Sequence, residues 1–184
     1  ISIGVSHGTL CSELTVTAVV LAGSRRLNYR QRVRLYNSDS AADTEGIDIQ
    51  MEVSASTNEE VIVQFNTDIA SEGYMYTDQG LEEVQRKYNP AMPIQANFYP
   101  SQSRCVLQDA DNHLKYFAAL THHSAGVSSR KPGQLEIMLH RNLLQDDGRG
   151  LGTGVSDTMP VTVEMRLLVG HSSTNDVRMH RQAH

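Results

Sequence analysis

The chain has 184 residues and a mass of 20.4 kDa, which is enough for one domain with a substantial core. Lysine and arginine number 16 against 21 acidic residues, so the formal net charge is −5 and a general nucleic-acid-binding surface is not expected. Hydrophobic residues make up 39% and charged residues 20%, a balance too apolar for a disordered chain. The composition therefore predicts a folded domain with a polar surface.

The sequence contains no segment typical of a membrane span. The longest nearly apolar run, Ala18 to Ala22, is far shorter than the roughly 20 residues of a spanning helix, and no signal-like segment opens the chain. Cys11 and Cys105 are too few for a disulfide framework and too far apart for a local zinc knuckle, so one bridge and two free thiols both stay open.

The first part of the chain shows the period of two that is typical of strands with one buried face. Thr15 to Leu21 is rich in β-branched residues, and Ala22-Gly23-Ser24 supplies a turn signal. After the turn, one face carries Leu27, Tyr29, Val33 and Leu35, and the other carries Asn28, Arg30, Arg32 and Arg34. This pattern predicts a hairpin with a basic outer face.

The same alternation continues along the chain. Ile47 to Val53 and Val61 to Phe65 predict a second hairpin. Three further alternating segments follow, at Leu114 to Leu120, Leu135 to Leu139 and Val161 to Leu167. Only Leu81, Val84 and Tyr88 stand at helical spacing, and they are compatible with a short helix.

These patterns predict an all-β fold, either an antiparallel β-sandwich or part of a larger β-sheet assembly. No repeat or linker indicates a second domain. We expect residues 1–170 to form the β-sandwich portion and residues 171–184 to form a polar, histidine-containing tail.

The most unusual stretch is the run from Gln145 to Gly154, in which Asp146, Asp147 and Arg149 stand among four glycines. Glycine allows backbone conformations that other residues resist. The run has no Gly-Lys-Ser/Thr end and does not open a helix, so neither a P-loop nor a dinucleotide site fits. On spacing alone, a tight surface loop with solvated charges is the simplest interpretation.

The other residue patterns that could indicate a catalytic, metal or sugar-binding site are weak signals. Asp146 and Asp147 are adjacent, and nothing in the sequence places a second acid opposite them for glycoside hydrolysis. His122 and His123 would point to opposite faces of a strand, so they do not predict a shared metal. The chain has no Trp to form a sugar-stacking platform.

Six motifs in order nevertheless resemble those of one family. They are Gly73-Tyr74-Met75-Tyr76-Thr77-Asp78, Pro93 to Pro100, Gln108-Asp109-Ala110, Ala125 to Ser129, Gly133 to Met138 and Leu144 to Gly152. Together they resemble the β-rich C-terminal half of class II α-mannosidases, glycoside hydrolase family 38, and look closer to the Golgi α-mannosidase II branch than to the lysosomal one. The likeness runs from about Leu27 to about Leu168.

The resemblance implies a zinc-dependent retaining glycosidase that removes α-linked mannose from N-glycans in the Golgi or lysosome. The family's zinc ligands and nucleophile lie in an N-terminal barrel, and no stretch of this chain resembles that barrel. The chain is therefore expected to be a fragment or subunit that binds no zinc itself, with the barrel portion and a mannose-containing glycan as its partners.

The resemblance also assigns roles within the glycine-rich run. It implies that Arg149 faces substrate and that Asp146 and Asp147 hold the loop at the substrate rim, while Gly148, Gly150 and Gly152 permit its turn. The sequence departs from the family pattern at His140, Asn142 and Thr153. A non-catalytic carbohydrate-binding module and a purely structural β-sandwich stay open as alternatives.

Overall fold

The structure, a computed structural model, describes residues 1–37, 46–56, 58–80, 82–111, 115–146, 148–150, 152–157 and 159–171. Its strands are β1 (Ser2–His7), β2 (Cys11–Ala22), β3 (Arg25–Tyr36), β4 (Gly46–Ala55), β5 (Glu59–Asn66), β6 (Tyr74–Gln79), β7 (Glu82–Lys87), β8 (Tyr99–Ser101), β9 (Arg104–Gln108), β10 (Lys115–Thr121), β11 (Ala125–Ser128), β12 (Gln134–Asn142) and β13 (Val161–His171). One 3-10 helix spans Ile94–Asn97. The predicted all-β class is confirmed.

The strands form two antiparallel sheets packed face to face. The larger sheet has nine strands in the order β1-β2-β3-β4-β13-β10-β9-β6-β7, and the smaller has four in the order β5-β12-β11-β8. The predicted first hairpin is confirmed as β2 and β3, whose turn contains Gly23 at φ 64°. The sandwich is the arrangement in which each sheet buries its apolar face against the other.

The core lies between the sheets and follows the alternation seen in the sequence. Its buried members from the larger sheet include Ile49, Met51, Val53, Met75, Cys105, Leu107, Phe117, Ala119, Val163, Met165 and Leu167, and those from the smaller sheet include Val127, Leu135, Ile137 and Leu139. The larger sheet from β4 to β6 and the smaller sheet contribute alternate residues to this core. The residues that alternate with them on β9, β10 and β13 form a second buried apolar cluster, which consists of Val106, Tyr116, Ala118, Leu120 and Leu168.

The segment with helical spacing forms a strand instead of a helix. β7 pairs antiparallel with β6, and Gly80 between them has φ 72°. Arg86 Nε donates to Thr77 Oγ1 at 3.1 Å, and the Lys87 ammonium lies 4.7 Å from the Tyr74 ring centroid. Pairing with β6 and these cross-strand contacts outweigh the weak helical propensity, so the helix prediction is wrong.

The predicted second hairpin is also wrong, because β4 and β5 belong to different sheets. β4 is paired on both sides, with β3 and with β13, and β5 pairs with β12. The chain passes from the larger to the smaller sheet between them, and Ser56 N donates to Arg26 O at 2.8 Å as the chain leaves the larger sheet. Both cysteines are free thiols.

The described residues contain no helix long and apolar enough to cross a membrane. β13 runs one residue past the predicted domain boundary, to His171. The rest of the predicted tail lies outside the described residues.

Candidate functional site

The glycine-rich run leaves β12 as a loop, residues 143–157, that precedes β13. Leu143 N donates to Val155 O at 2.7 Å, so the two legs of the loop are tied together at its base. A side chain on Gly154 would collide with the carbonyl oxygen of Leu143 and the main chain of Leu144. Glycine is needed there because the legs approach each other so closely.

Three glycines of the loop have positive φ. The values are 73° for Gly148, 145° for Gly150 and 72° for Gly152, and the space around each would admit a Cβ atom. Conformation alone therefore favours glycine at these positions. This is the physical basis for the turn-forming role that the sequence assigned to them.

The predicted polar residues of the loop lie in different surroundings. Arg149 is exposed between Gly148 and Gly150, and Asp146 is half-buried near the base. Asp147 lies outside the described residues. The loop also exposes the apolar side chains of Leu144 and Val155, which sequence reasoning did not single out.

Beneath the loop, the end of β12 carries buried polar side chains. The pairing of β12 with β5 shifts between Met138 and His140, and Arg141 beyond the shift points outward, with its Nε 2.8 Å from Glu60 Oε1. The Asn142 amide donates to Ala55 O at 3.3 Å, but its Oδ1 and both ring nitrogens of His140 have no hydrogen-bond partner in the described part of the chain. These residues depart from the family pattern, which was the only sequence signal for them.

A polar groove of about 620 Å³ runs across the outer face of the larger sheet, opposite the core. It is lined by Arg32, Arg34, Tyr36, Asp48, Ile49, Gln50, Ser103, Leu120, Thr121, His122, Glu164, Met165 and Arg166. The predicted basic face of β3 forms one of its walls. Acidic and amide side chains of β4 and β13 face those arginines.

Side chains of the groove pair with one another and with the adjacent Glu13 of β2 across the strands. Arg34 Nε donates to Glu13 Oε2 at 2.8 Å, Arg166 Nε to Asp48 Oδ1 at 2.6 Å, and Gln50 Nε2 to Glu164 Oε1 at 2.6 Å. The hydrogen bond from Arg34 holds the pKa of Glu13 below its ordinary value. The ion pairs of Arg34 with Glu13 and of Arg166 with Asp48 therefore neutralise part of the charge of this solvated face. Tyr36 also lines the groove, and the Arg166 guanidinium lies 6.0 Å from its ring centroid.

Asp78, which belongs to one of the family-like motifs, fixes a turn between β8 and β9. Its carboxylate accepts hydrogen bonds from the backbone N–H groups of Gln102, Ser103 and Arg104 and from the hydroxyls of Ser101 and Ser103, at 2.6–3.1 Å. Burial raises the pKa of Asp78, but the bonds from Ser103 and the neighbouring N–H groups outweigh it and leave the pKa below its ordinary value. This geometry makes Asp78 a structural residue.

Histidine, cysteine and carboxylate side chains do not converge on a metal site. No group of three or more of them could hold a metal ion among the residues that the structure describes. The His122 imidazole is exposed, with Nδ1 3.6 Å from Glu164 Oε2. The described residues therefore do not fit a zinc site.

Comparison with known proteins places this fold and loop in a family. The model of the glycosyl hydrolases family 38 C-terminal domain matches residues 2–149, a range that includes Asp146 and Arg149. The mouse protein alpha-mannosidase 2x is 35% identical over 160 residues, and bovine lysosomal alpha-mannosidase is 37% identical over 131 residues. These matches cover 84% and 66% of this chain, but only 13% of each relative.

The fold is also found in a solved structure. An alpha-mannosidase from Enterococcus faecalis superposes with a TM-score of 0.73 over 99% of this chain and 23% of that chain, at 11% sequence identity. At that identity the likeness shows the fold. Taken with the family-model match over most of the chain, it confirms the resemblance found in the sequence: the chain belongs to the C-terminal domain family of the family 38 glycosyl hydrolases.

Proposed function

We propose that this chain is the C-terminal β portion of a zinc-dependent retaining α-mannosidase that hydrolyses α-mannosidic bonds of N-glycans. In that role it supplies contacts at the substrate rim and packs against the catalytic portion, without catalysing by itself. The compartment that fits such a substrate is the secretory pathway, Golgi or lysosome. One relative is named a lysosomal alpha-mannosidase.

The observation that carries the proposal is the tethered glycine loop. The Leu143–Val155 hydrogen bond fixes its base, and the positive φ values of Gly148 and Gly150 set the backbone on both sides of Arg149. Arg149 is exposed on this loop, and a guanidinium carries several N–H donors in a planar fork, which suits the hydroxyl oxygens of a sugar. The half-buried Asp146 near the base is proposed to steady the loop.

The zinc of the complete enzyme is proposed to lie in the catalytic barrel portion, as the resemblance implies. The chain's own contribution is binding and orientation. Arg149 would hold a sugar hydroxyl while groups of the catalytic portion act on the glycosidic bond.

The first test is Arg149→Ala in the complete enzyme, assayed on an α-mannoside substrate. We expect kcat/KM to fall roughly 10- to 100-fold, as for the loss of one or two charge-assisted hydrogen bonds to substrate, while the zinc content stays unchanged. Zinc is measured by atomic emission on the same preparation.

Lys131→Ala is the control, because Lys131 is also an exposed cation but lies just before the start of β12, whereas the loop follows the end of that strand. It should leave kcat/KM unchanged. Equal kinetics for the Arg149 variant and the wild type would reject the substrate-rim role, and loss of zinc from that variant would show a structural role instead.

A further inference from the structure

The two sheets have different widths, and the wider one is covered over only part of its inner face. β5 and β12 pack against β4, and β8 packs against β6. Strands within a sheet lie about 4.8 Å apart, so the four strands of the smaller sheet span the larger sheet from β4 to β6. β1, β2 and β3 extend beyond the β5 edge.

The strands that extend beyond this edge continue the core face. Val5 pairs with Leu14, Leu14 with Val33, and Val33 with Ile49, a core residue. Residues paired directly across strands project to the same face. Along this row the exposed fraction rises from 6% at Ile49 to 37% at Leu14 and 62% at Val5. The apolar face of the core therefore continues onto β3, β2 and β1 with increasing solvent exposure, and no row of polar residues ends it on these three strands.

We call the apolar residues of β1 and β2 on this side the open face; they are Ile3, Val5, Leu14, Val16, Ala18 and Val20. The opposite side of the same strands, apart from Val19 and Leu21 near the turn, is polar and includes Glu13 facing Arg34. A contiguous exposed apolar patch of this kind is typical of an interaction surface.

β5 is an edge strand of the smaller sheet and lies beside the open face. It pairs with β12 through Glu59–Asn66, and no other described strand pairs with it. Its core-facing residues Val61, Val63 and Phe65 are only half-buried. An edge strand presents unpaired N–H and C=O groups that can template another strand. A strand added there would lie over β3, and the next two would lie over β2 and β1.

We propose that the open face and the free edge of β5 together receive about three β-strands from the rest of an α-mannosidase polypeptide, the first of them paired with β5. The inference rests on the proposed function, because it takes the strands from the larger enzyme. Its relatives provide ample chain: this sequence spans 13% of mouse alpha-mannosidase 2x, and its fold occupies 23% of the Enterococcus faecalis enzyme.

A second copy of this chain is less suited to cover the open face than strands from the rest of the enzyme. If the β5 strands of two copies paired, each copy would have to cover the open face of the other with its smaller sheet. The inner residues of that sheet, such as Val127, Leu135 and Ile137, are fully buried in their own core. They are not free to cover another surface.

Val20 and Val19 allow a matched test in the complete enzyme. They are neighbours on β2 with exposed fractions of 51% and 50%, but only Val20 lies on the open face. We expect Val20→Lys to lower the thermal midpoint by about 3 °C or more, because the lysine would be buried under the added strands, and Val19→Lys to lower it by less than about 1 °C.

Hydrogen exchange on the wild-type complete enzyme gives a second readout that does not depend on a variant folding. In an open edge strand the amides that point away from the partner exchange quickly, whereas in a strand paired on both sides all of them are slow. We expect every amide from Val61 to Phe65 to be slowed at least about 100-fold relative to an unstructured chain.

Equal midpoints for the two lysine variants, or fast exchange at alternate amides of β5, would overturn the inference. A dimer that dissociates on Val20→Lys would overturn it too, in favour of a second copy. Failure of the proposed function is distinguishable: a wild-type protein without α-mannosidase activity rejects that proposal, while the Val20 and Val19 comparison still reports on the open face.

Discussion

At the residue scale, Asp78 shows how one buried carboxylate can hold a turn. Three consecutive backbone N–H groups and two hydroxyls converge on it. If the carboxylate is removed, these donors lose their acceptor, and Arg104, whose backbone N–H is one of them, is a buried residue. The cost is then the desolvation of several groups, more than the loss of one hydrogen bond.

We therefore expect Asp78→Ala to lower the free energy of unfolding by about 2–4 kcal/mol, measured by urea denaturation at neutral pH. Asp111→Ala is the control, because Asp111 is exposed, and it should change stability by less than about 0.5 kcal/mol. A comparable loss in both variants would contradict the structural role of Asp78.

The pH dependence of this effect follows from the lowered pKa of Asp78. A carboxyl whose pKa is lower in the folded than in the unfolded protein contributes stability above its ordinary value, here 3.8, and loses that contribution as the pH falls through the folded pKa. The stability difference between wild type and Asp78→Ala should therefore shrink as the pH falls below about 4. A difference independent of pH would contradict the charge-based explanation.

At the element scale, the glycine loop and β7 differ in how well the local sequence predicts their conformation. Gly148, Gly150 and Gly152 adopt positive φ values in the structure, and their density in the sequence had already indicated a turn there. The local sequence of β7 does not predict its conformation. Its residues are compatible with a helix, but they form a strand because they pair with β6. An element is predictable when its residues admit one conformation and its neighbours demand the same one.

Gly154 supplies the prediction at this scale. In Gly154→Ala the new Cβ would meet the main chain of Leu143 and Leu144, so the two legs of the loop must move apart. We expect a loss of about 1–3 kcal/mol in unfolding free energy by urea denaturation, and loss of the slow exchange of the Leu143 amide.

Gly4→Ala is the control, because Gly4 has no heavy atom within 4 Å of an added Cβ and lies on the exposed strand β1. It should change stability by about 0.5 kcal/mol or less. A Leu143 amide that stays protected in Gly154→Ala would show that the base of the loop does not depend on close approach of its legs.

At the scale of the whole molecule, Cys105 reports on opening of the core. Burial raises the pKa of its thiol to about 12, and the side chain is fully enclosed, while Cys11 on β2 is half-buried. A thiol reagent reaches only the deprotonated, accessible form. Labelling of Cys105 therefore requires that the two sheets separate.

We expect one thiol per chain to react readily with a disulfide reagent under native conditions and the second to react at least about 100-fold more slowly, with both reacting at once in denaturant. Cys11→Ser should abolish the fast phase and leave the slow one unchanged. Two equally fast thiols in the native protein would show that the core opens far more easily than its packing implies.

The sequence by itself indicated the strands β2 to β5, β10, β12 and β13 and the all-β class, because period-two alternation and glycine-rich turns are local properties of the chain. The resemblance of six ordered motifs indicated the family. The sequence also pointed to the loop that carries Arg149. It did not determine which strands pair: the alternation of β4 and β5 is the same whether they form a hairpin or face each other across a core.

Only the tertiary structure decided the partners of β4, β5 and β7, the buried polar end of β12 and the extent of the open face. Each of these depends on contacts between residues far apart in sequence, whose free energy no local pattern encodes. The open face is the clearest case, because Val19 and Val20 are adjacent, identical and equally exposed. Only the pairing of β2 with β3 separates the side that continues the core from the side that faces solvent.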